Sequence, residues 1–160
     1  MITYKQGNLL DTTDMFIAHG VNCQGVMGAG VALALRKAYP PVFEYYDKFI
    51  KSWVRFGADK KRLLGYAQPI KVIGNKTIFN CFTQETYGRS KKIFYVDYDA
   101  VEECFCQILT YWEIYCVPME DRKLSMPKIG CGLANGDWST IEKLIKLHLD
   151  LADVTVWEID

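Results

Sequence analysis

The sequence predicts an α/β fold, a β-sheet covered by helices on both faces. Short apolar runs of strand length alternate along the chain with longer stretches of helical period. Two glycine-bearing loops stand where a strand hands over to a helix. The chain has 160 residues, 50% of them hydrophobic and 24% charged, enough apolar material to fold alone as a single domain over 1–160.

In chain order, residues 2–6 form a short strand, ended by Gly7 and Asn8. The apolar run 15–19 is too short for a helix and reads as a buried strand ending at His19. Composition is helical from about 30 to 39, and Pro40 and Pro41 stop it. Val42, Tyr46, Phe49, Ile50 and Trp53 then recur on one face of an amphipathic helix, which Gly57 and the charged run 59–62 close. Strands over 64–72 and 76–82 follow, joined by the turn dipeptide Gly74-Asn75. Residues 83–96 are polar, contain Gly88 and read as a loop.

Asp97 opens a long helix with an apolar stripe of Val101, Phe105, Ile108 and Trp112; Asp97 or Asp99 suits its first turn. Residues 124–127 make a short strand and 128–137 the second glycine-bearing loop. A helix over 139–150 carries Ile141, Leu144, Ile145 and His148 on one side, and 154–159 is a last strand. The order is ββααββαβαβ, without repeat or low-complexity tract. In such folds ligands sit at the carboxyl ends of strands, where both glycine loops should meet.

Composition narrows the function classes. Nineteen basic residues balance nineteen acidic ones, so no bulk nucleic-acid binding is expected. The opening MITYKQGNLL lacks a signal-peptide pattern, and no apolar stretch approaches the ~20 residues of a membrane span. The six cysteines include no C-x-x-C pair, and the two histidines lie far apart. Neither a disulfide framework nor a zinc site is expected, so the thiols are read as reduced, in a cytoplasm.

The loops carry the chemistry. Gly28, Ala29, Gly30 and Val31 enter a helix whose first amides are unpaired and partly positive, a setting that favours phosphate. The second loop, Ile129, Gly130, Cys131, Gly132, Leu133, Ala134, Asn135 and Gly136, has the same character. Two such loops side by side suit a diphosphate; alternatively the glycines only make tight turns. Gly28-x-Gly30 resembles part of a dinucleotide fingerprint, but it lies too far beyond His19 to form the required turn. The pattern G-x-x-x-x-G-K-S/T is absent. A cysteine phosphatase needs C-x-x-x-x-x-R, and Ala29 and Asp137 stand at the arginine position after Cys23 and Cys131, so both thiols read as packing residues. Tyr87 is a candidate to cover a ligand. Arg89 and Ser90 could meet a terminal phosphate or simply face solvent.

The stretches KQGNLLD, IAHGVNCQGVMGAGVALALRKAYP and MPKIGCGLANGDW, at their intervals, resemble the macrodomain family of ADP-ribose-binding modules over nearly the whole chain. The chain looks closest to the branch of small ADP-ribose 1″-phosphate phosphatases and terminal ADP-ribose glycohydrolases. FTQETYGRSKKIFYVDYDA is similar to short members from bacterial viruses. The resemblance implies a three-layer α/β/α sandwich with a mixed, mostly parallel sheet and ADP-ribose across its top. It places Asn8 and Leu9 at the adenine end, where the family often has aspartate in place of Asn8. Gly28, Ala29, Gly30 and Val31 would wrap the distal ribose and diphosphate. Ile129, Gly130, Cys131, Gly132 and Leu133 would clamp the diphosphate, and Asn22 would hydrogen-bond the distal ribose hydroxyls.

It also puts His19 at the distal-ribose chemistry, where a histidine could activate or position water or protonate the leaving oxygen. Asp137 is a second acid candidate, or else a helix-start residue. The family's deglycosylating members use a lysine where Gln84 stands and an aspartate where Ala134 stands, which argues against that route. The expectation is an enzyme hydrolysing ADP-ribose 1″-phosphate to ADP-ribose and phosphate without metal or cofactor. Its partner would be that small ligand or ADP-ribose, and it would be a monomer in the cytoplasm, a host's if viral. The alternatives are a non-catalytic ADP-ribose-binding module and a hydrolase acting on ADP-ribosylated macromolecules.

Overall fold

The computed structural model describes residues 1–159. The elements follow as β1 (Ile2–Gln6), β2 (Phe16–Asn22), α1 (Gly30–Ala38), α2 (Pro41–Arg55), β3 (Ala67–Val72), β4 (Lys76–Gln84), α3 (Tyr98–Ile114), β5 (Lys123–Pro127), α4 (Trp138–His148) and β6 (Asp153–Glu158). This is the order read from the sequence. The 6-stranded sheet runs β1-β6-β5-β2-β4-β3. Only β3, on its edge, is antiparallel, hairpinned to β4; the other pairs are parallel.

One hydrophobic core forms on each face of the sheet, because β2 and β4 alternate their side chains between the two sides. Ile17, Val21, Ile78 and Phe82 meet Leu35 of α1 and Val42, Tyr46 and Ile50 of α2. Phe16, Ala18, Phe79 and Cys81 meet Val101, Phe105, Ile108 and Trp112 of α3 and Ile141 and Ile145 of α4. The predicted helix stripes are thus the buried faces. Full burial of each large apolar side chain contributes roughly 1.5–3 kcal/mol.

The boundaries differ from expectation where tertiary pairing or capping decides. Strand β2 continues past His19 to Asn22 because β4 pairs with it that far, through an irregularity between Val21 and Asn22. Strand β3 begins at Ala67 rather than 64. The residues before it form a 3-10 turn, Lys60–Leu63, whose N-cap Asp59 accepts from Lys61 N. Asp97 caps α3 by accepting from Ala100 N at 3.0 Å. At the hairpin, Gly74 and Asn75 both take left-handed torsions, φ +82° and +58°, which these residue types tolerate.

Strand order places the site. From β2 the chain crosses through α1 and α2 to β3 and β4 on one side, then returns through α3 to β5 on the other side. The loop after β2 and the loop after β5 therefore leave neighbouring strands, at the point where the connections diverge.

Candidate functional site

A cleft of about 990 Å³ opens there. Its floor includes Gln6, Asn22, Gln84, Pro127 and Glu158, the last residues of all five parallel strands. One wall is 26–32, the other 127–134. All nine residues expected to hold the diphosphate, Gly28 to Val31 and Ile129 to Leu133, line it.

The first wall is braced from within. Asn22 Oδ1 accepts from Gln24 N at 2.9 Å and Val26 N at 3.4 Å, while its Nδ2 donates to Val26 O at 2.8 Å. Tyr46 Oη accepts from Gly25 N at 3.2 Å and lies 2.8 Å from Asn22 O and 2.9 Å from Asn22 Oδ1. With the turn held this way, the amides of 28–32 face no backbone acceptor, and Leu33 N, bonded to Ala29 O at 3.2 Å, is the first of α1 to be satisfied. A run of free N–H groups at a helix start is an anion site. Gly30 takes φ +58° at its entrance.

The second wall folds on itself. Gly136 N donates to Gly130 O at 2.7 Å, Cys131 N to Lys128 O at 3.0 Å and Asn135 N to Gly132 O at 3.1 Å. The amides of 132–134 remain without a backbone partner. Glycine is obligatory in this turn: Gly130 sits at φ +75°, and a Cβ on Gly136 would lie 2.5 Å from Gly130 O. Asn135 Nδ2 donates to Ser90 O and Ile93 O, each at 2.8 Å, and Ala134 O accepts from Tyr95 N and Val96 N. These bonds tie the 85–96 loop to the second wall and bring Tyr87, Gly88 and Arg89 to the mouth, with Tyr87 54% exposed. Of the two residues that could meet a terminal phosphate, Arg89 lines the cleft and Ser90 does not.

His19 lies in the floor, only 1% exposed. Its Nε2 is 2.6 Å from Asn80 Oδ1, and its Nδ1 has no partner. Burial pulls the imidazole down to about 4, against a smaller opposing effect of the Asn80 bond. The ring is therefore neutral at pH 7. Of the roles expected for it, accepting a hydrogen bond fits; protonating a leaving oxygen does not.

Several expectations need correction. Asp137 does not line the cleft. It is the N-cap of α4, accepting from Thr140 N at 2.9 Å and Thr140 Oγ1 at 2.8 Å, bonds that hold its carboxyl below the usual range. Asn8 and Leu9 do not line the cleft either. Asn8 accepts from Leu10 N at 2.9 Å to start the 3-10 turn Leu9–Asp11, and Leu9 is core. Asn22, by contrast, does line the cleft; its Oδ1 and one Nδ2 hydrogen build the first wall, and the second Nδ2 hydrogen has no partner among the described residues. Burial raises the Cys23 and Cys131 thiols, to about 12 and about 11, so both keep their protons, in line with packing roles.

Sequence reasoning missed the other end. Gln6, Trp157, Glu158 and Ile159 line it, with Glu158 bonded to Gln6 Nε2 at 3.0 Å and paired with Lys128. Among the described residues Glu158 is the sole carboxylate lining the cleft. No local pattern signals this cluster, because it joins the two ends of the chain. The helix stripe marks Tyr46 as core, and its hydroxyl on an otherwise apolar face is the one sign of a further role.

No family model matches the chain. The DNA ADP-ribosyl glycohydrolase of Mycobacterium tuberculosis is 30% identical over 156 residues, which is 96% of this chain but 40% of that protein; the chain thus spans well under half of that relative's length. An uncharacterized 17.5 kDa protein of the tk-vs intergenic region of Enterobacteria phage T4 is 30% identical over 146 residues, 89% of this chain and 86% of that one. The ADP-ribose 1″-phosphate phosphatase of Meyerozyma guilliermondii is 27% identical over 178 residues, 97% of this chain and 98% of that one. Among solved structures, a Bacteroides thetaiotaomicron protein of unknown function superposes with a TM-score of 0.79 at 30% identity, covering 98% of this chain and 97% of that one. The macrodomain of Thermus aquaticus DarG gives a TM-score of 0.77 at 24% identity, over 99% and 98%.

Proposed function

This chain belongs to the macrodomain family, and on that premise we propose that it binds ADP-ribose and hydrolyses ADP-ribose 1″-phosphate to ADP-ribose and phosphate. The observation that carries the reading is the pair of facing walls whose free amides, 28–32 and 132–134, border one cleft. Amides on two sides suit two linked phosphoryl groups better than one. The adenosine would lie toward Trp157, Gln6 and Glu158, and the distal ribose toward Gln84, Tyr87 and Arg89.

In the hydrolysis a water oxygen bonds to phosphorus as the bond from phosphorus to the C1″ oxygen breaks, and a proton equivalent to one from the water reaches the C1″ oxygen through solvent. The wall amides and the α1 start stabilise charge gathering on the phosphoryl oxygens, and Arg89 is the cation at the mouth for the terminal phosphate. The departing oxygen belongs to a hemiacetal, a better leaving group than an ordinary alkoxide, so a strong acid beside it is not required. His19 Nδ1, neutral and unpartnered, acts as acceptor for the water or a ribose hydroxyl.

A second reading, binding without turnover, is favoured by the depth of His19 and the lack of a carboxylate at the distal end. Removal of ADP-ribose from macromolecules fits less well, given Gln84 and Ala134 at the positions that chemistry uses. The test joins calorimetry with ADP-ribose to phosphate release from ADP-ribose 1″-phosphate, for wild type and His19→Gln. Heat together with release that falls in the variant supports the phosphatase. Heat without release supports the binding module. No heat from the wild type overturns both.

A further inference from the structure

We infer that Asn80 is a positioning residue: it locks His19 into the tautomer protonated at Nε2, keeping Nδ1 as a bare acceptor for an O–H donor in the cleft. The role of that donor rests on the function proposed above; the tautomer does not.

Asn80 sits opposite His19 in the β2–β4 ladder and is wholly buried. Its Nδ2 donates to Val42 O at 3.0 Å and to Gln68 Oε1 at 3.1 Å, which engages both amide hydrogens. The amide cannot turn over, since Oδ1 would then face the Val42 carbonyl and Gln68 Oε1. Gln68 is oriented in turn by its Nε2, which donates to Tyr45 O at 3.3 Å. Two carbonyls of α2 therefore dictate, through two side-chain amides, that an oxygen faces His19 Nε2 at 2.6 Å. Two acceptors do not bond, so Nε2 carries the hydrogen. A neutral imidazole has only one, so Nδ1 is left as a lone pair.

That lone pair is out of place in a finished core, where buried polar atoms are nearly always paired. Among the described residues three buried side-chain atoms lack partners, His19 Nδ1, Thr83 Oγ1 and Trp112 Nε1. Of these residues only His19 lines the cleft. Nδ1 itself is buried beneath the cleft floor, so the network holds an acceptor for a donor that penetrates that floor, a ribose hydroxyl or the attacking water.

The chain contains 2 histidines, so a nitrogen-15 histidine spectrum is readily assigned. In the wild type His19 is expected to show a protonated Nε2 and an unprotonated Nδ1, unchanged from pH 8 to pH 5. A protonated Nδ1, or a mixture, overturns the inference with no variant needed. In Asn80→Leu a mixture of tautomers is expected; a spectrum still purely Nε2–H also overturns it. The same variant separates the donors. If the ligand hydroxyl is the donor, ADP-ribose affinity falls about three- to tenfold. If water is the donor, kcat falls by that factor while the Kd holds. Neither change, in a folded variant of a protein that binds and turns over its ligand, refutes the link to the cleft. A wild type that shows the expected tautomer but binds no ADP-ribose would sink the proposed function and leave the positioning role of Asn80 standing.

Discussion

Acid should unfold this protein partly through His19. The native imidazole holds its proton only below about 4, against 6.5 for the free side chain. The unfolded chain therefore binds this proton first, and stability falls as pH drops through the window from 6.5 towards 4. Above that window the contribution is fully present. The loss attributable to His19 is about 2 kcal/mol between pH 7 and pH 5, and about 3 kcal/mol by pH 4. His19→Gln is the reference. Its amide can still donate to Asn80 Oδ1, but it does not titrate. Urea unfolding followed by tryptophan fluorescence at pH 7, 6, 5 and 4 reads the difference, because every other acid effect is common to both proteins. With a slope of about 2 kcal/mol per molar, the wild-type midpoint should fall roughly 1 M further than that of the variant between pH 7 and 5. Parallel pH dependence in the two proteins would refute the burial argument, and with it the neutral His19 on which the acceptor role depends.

Three further outcomes concern the bracing of the cleft walls and the start of α4. Tyr46→Phe removes the hydroxyl that joins Gly25 N and Asn22; it should cost about 1–3 kcal/mol in urea unfolding and weaken ADP-ribose binding in calorimetry. Gly136→Ala drives a Cβ to 2.5 Å from Gly130 O. A loss of about 2 kcal/mol, or roughly 4–8 °C in Tm, is expected with loss of ligand binding. Asp137→Ala should lower the Tm modestly, by loss of the α4 cap, and leave phosphate release unchanged; a collapse of kcat with affinity retained would restore Asp137 to the chemistry.

The element order, both glycine walls, the helix stripes and the caps at Asp97 and Asp137 were open to sequence reading, the last as one of two alternatives for Asp137. Each rests on forces that act within a few residues: periodic burial, a side chain reaching an amide two or three positions on, a torsion only glycine accepts easily. The macrodomain resemblance added the expected ligand and the part of it each wall would hold. What only the tertiary structure decided is which distant polar atoms face each other. Asn8 turned out to cap a 3-10 turn outside the cleft, while pairing of β1 with β6 brought Gln6 to Glu158 from the opposite end of the chain. Asn80 and Gln68 carry no local signal beyond lying within the strand spans 76–82 and 64–72. Strand register set the two residues side by side beneath α2, and of the two roles open to His19, water positioning and proton donation, burial there leaves only that of a neutral acceptor. Composition and spacing carry no record of such contacts, because a hydrogen bond and a desolvation cost depend on distance in space, and register and layer packing set that distance.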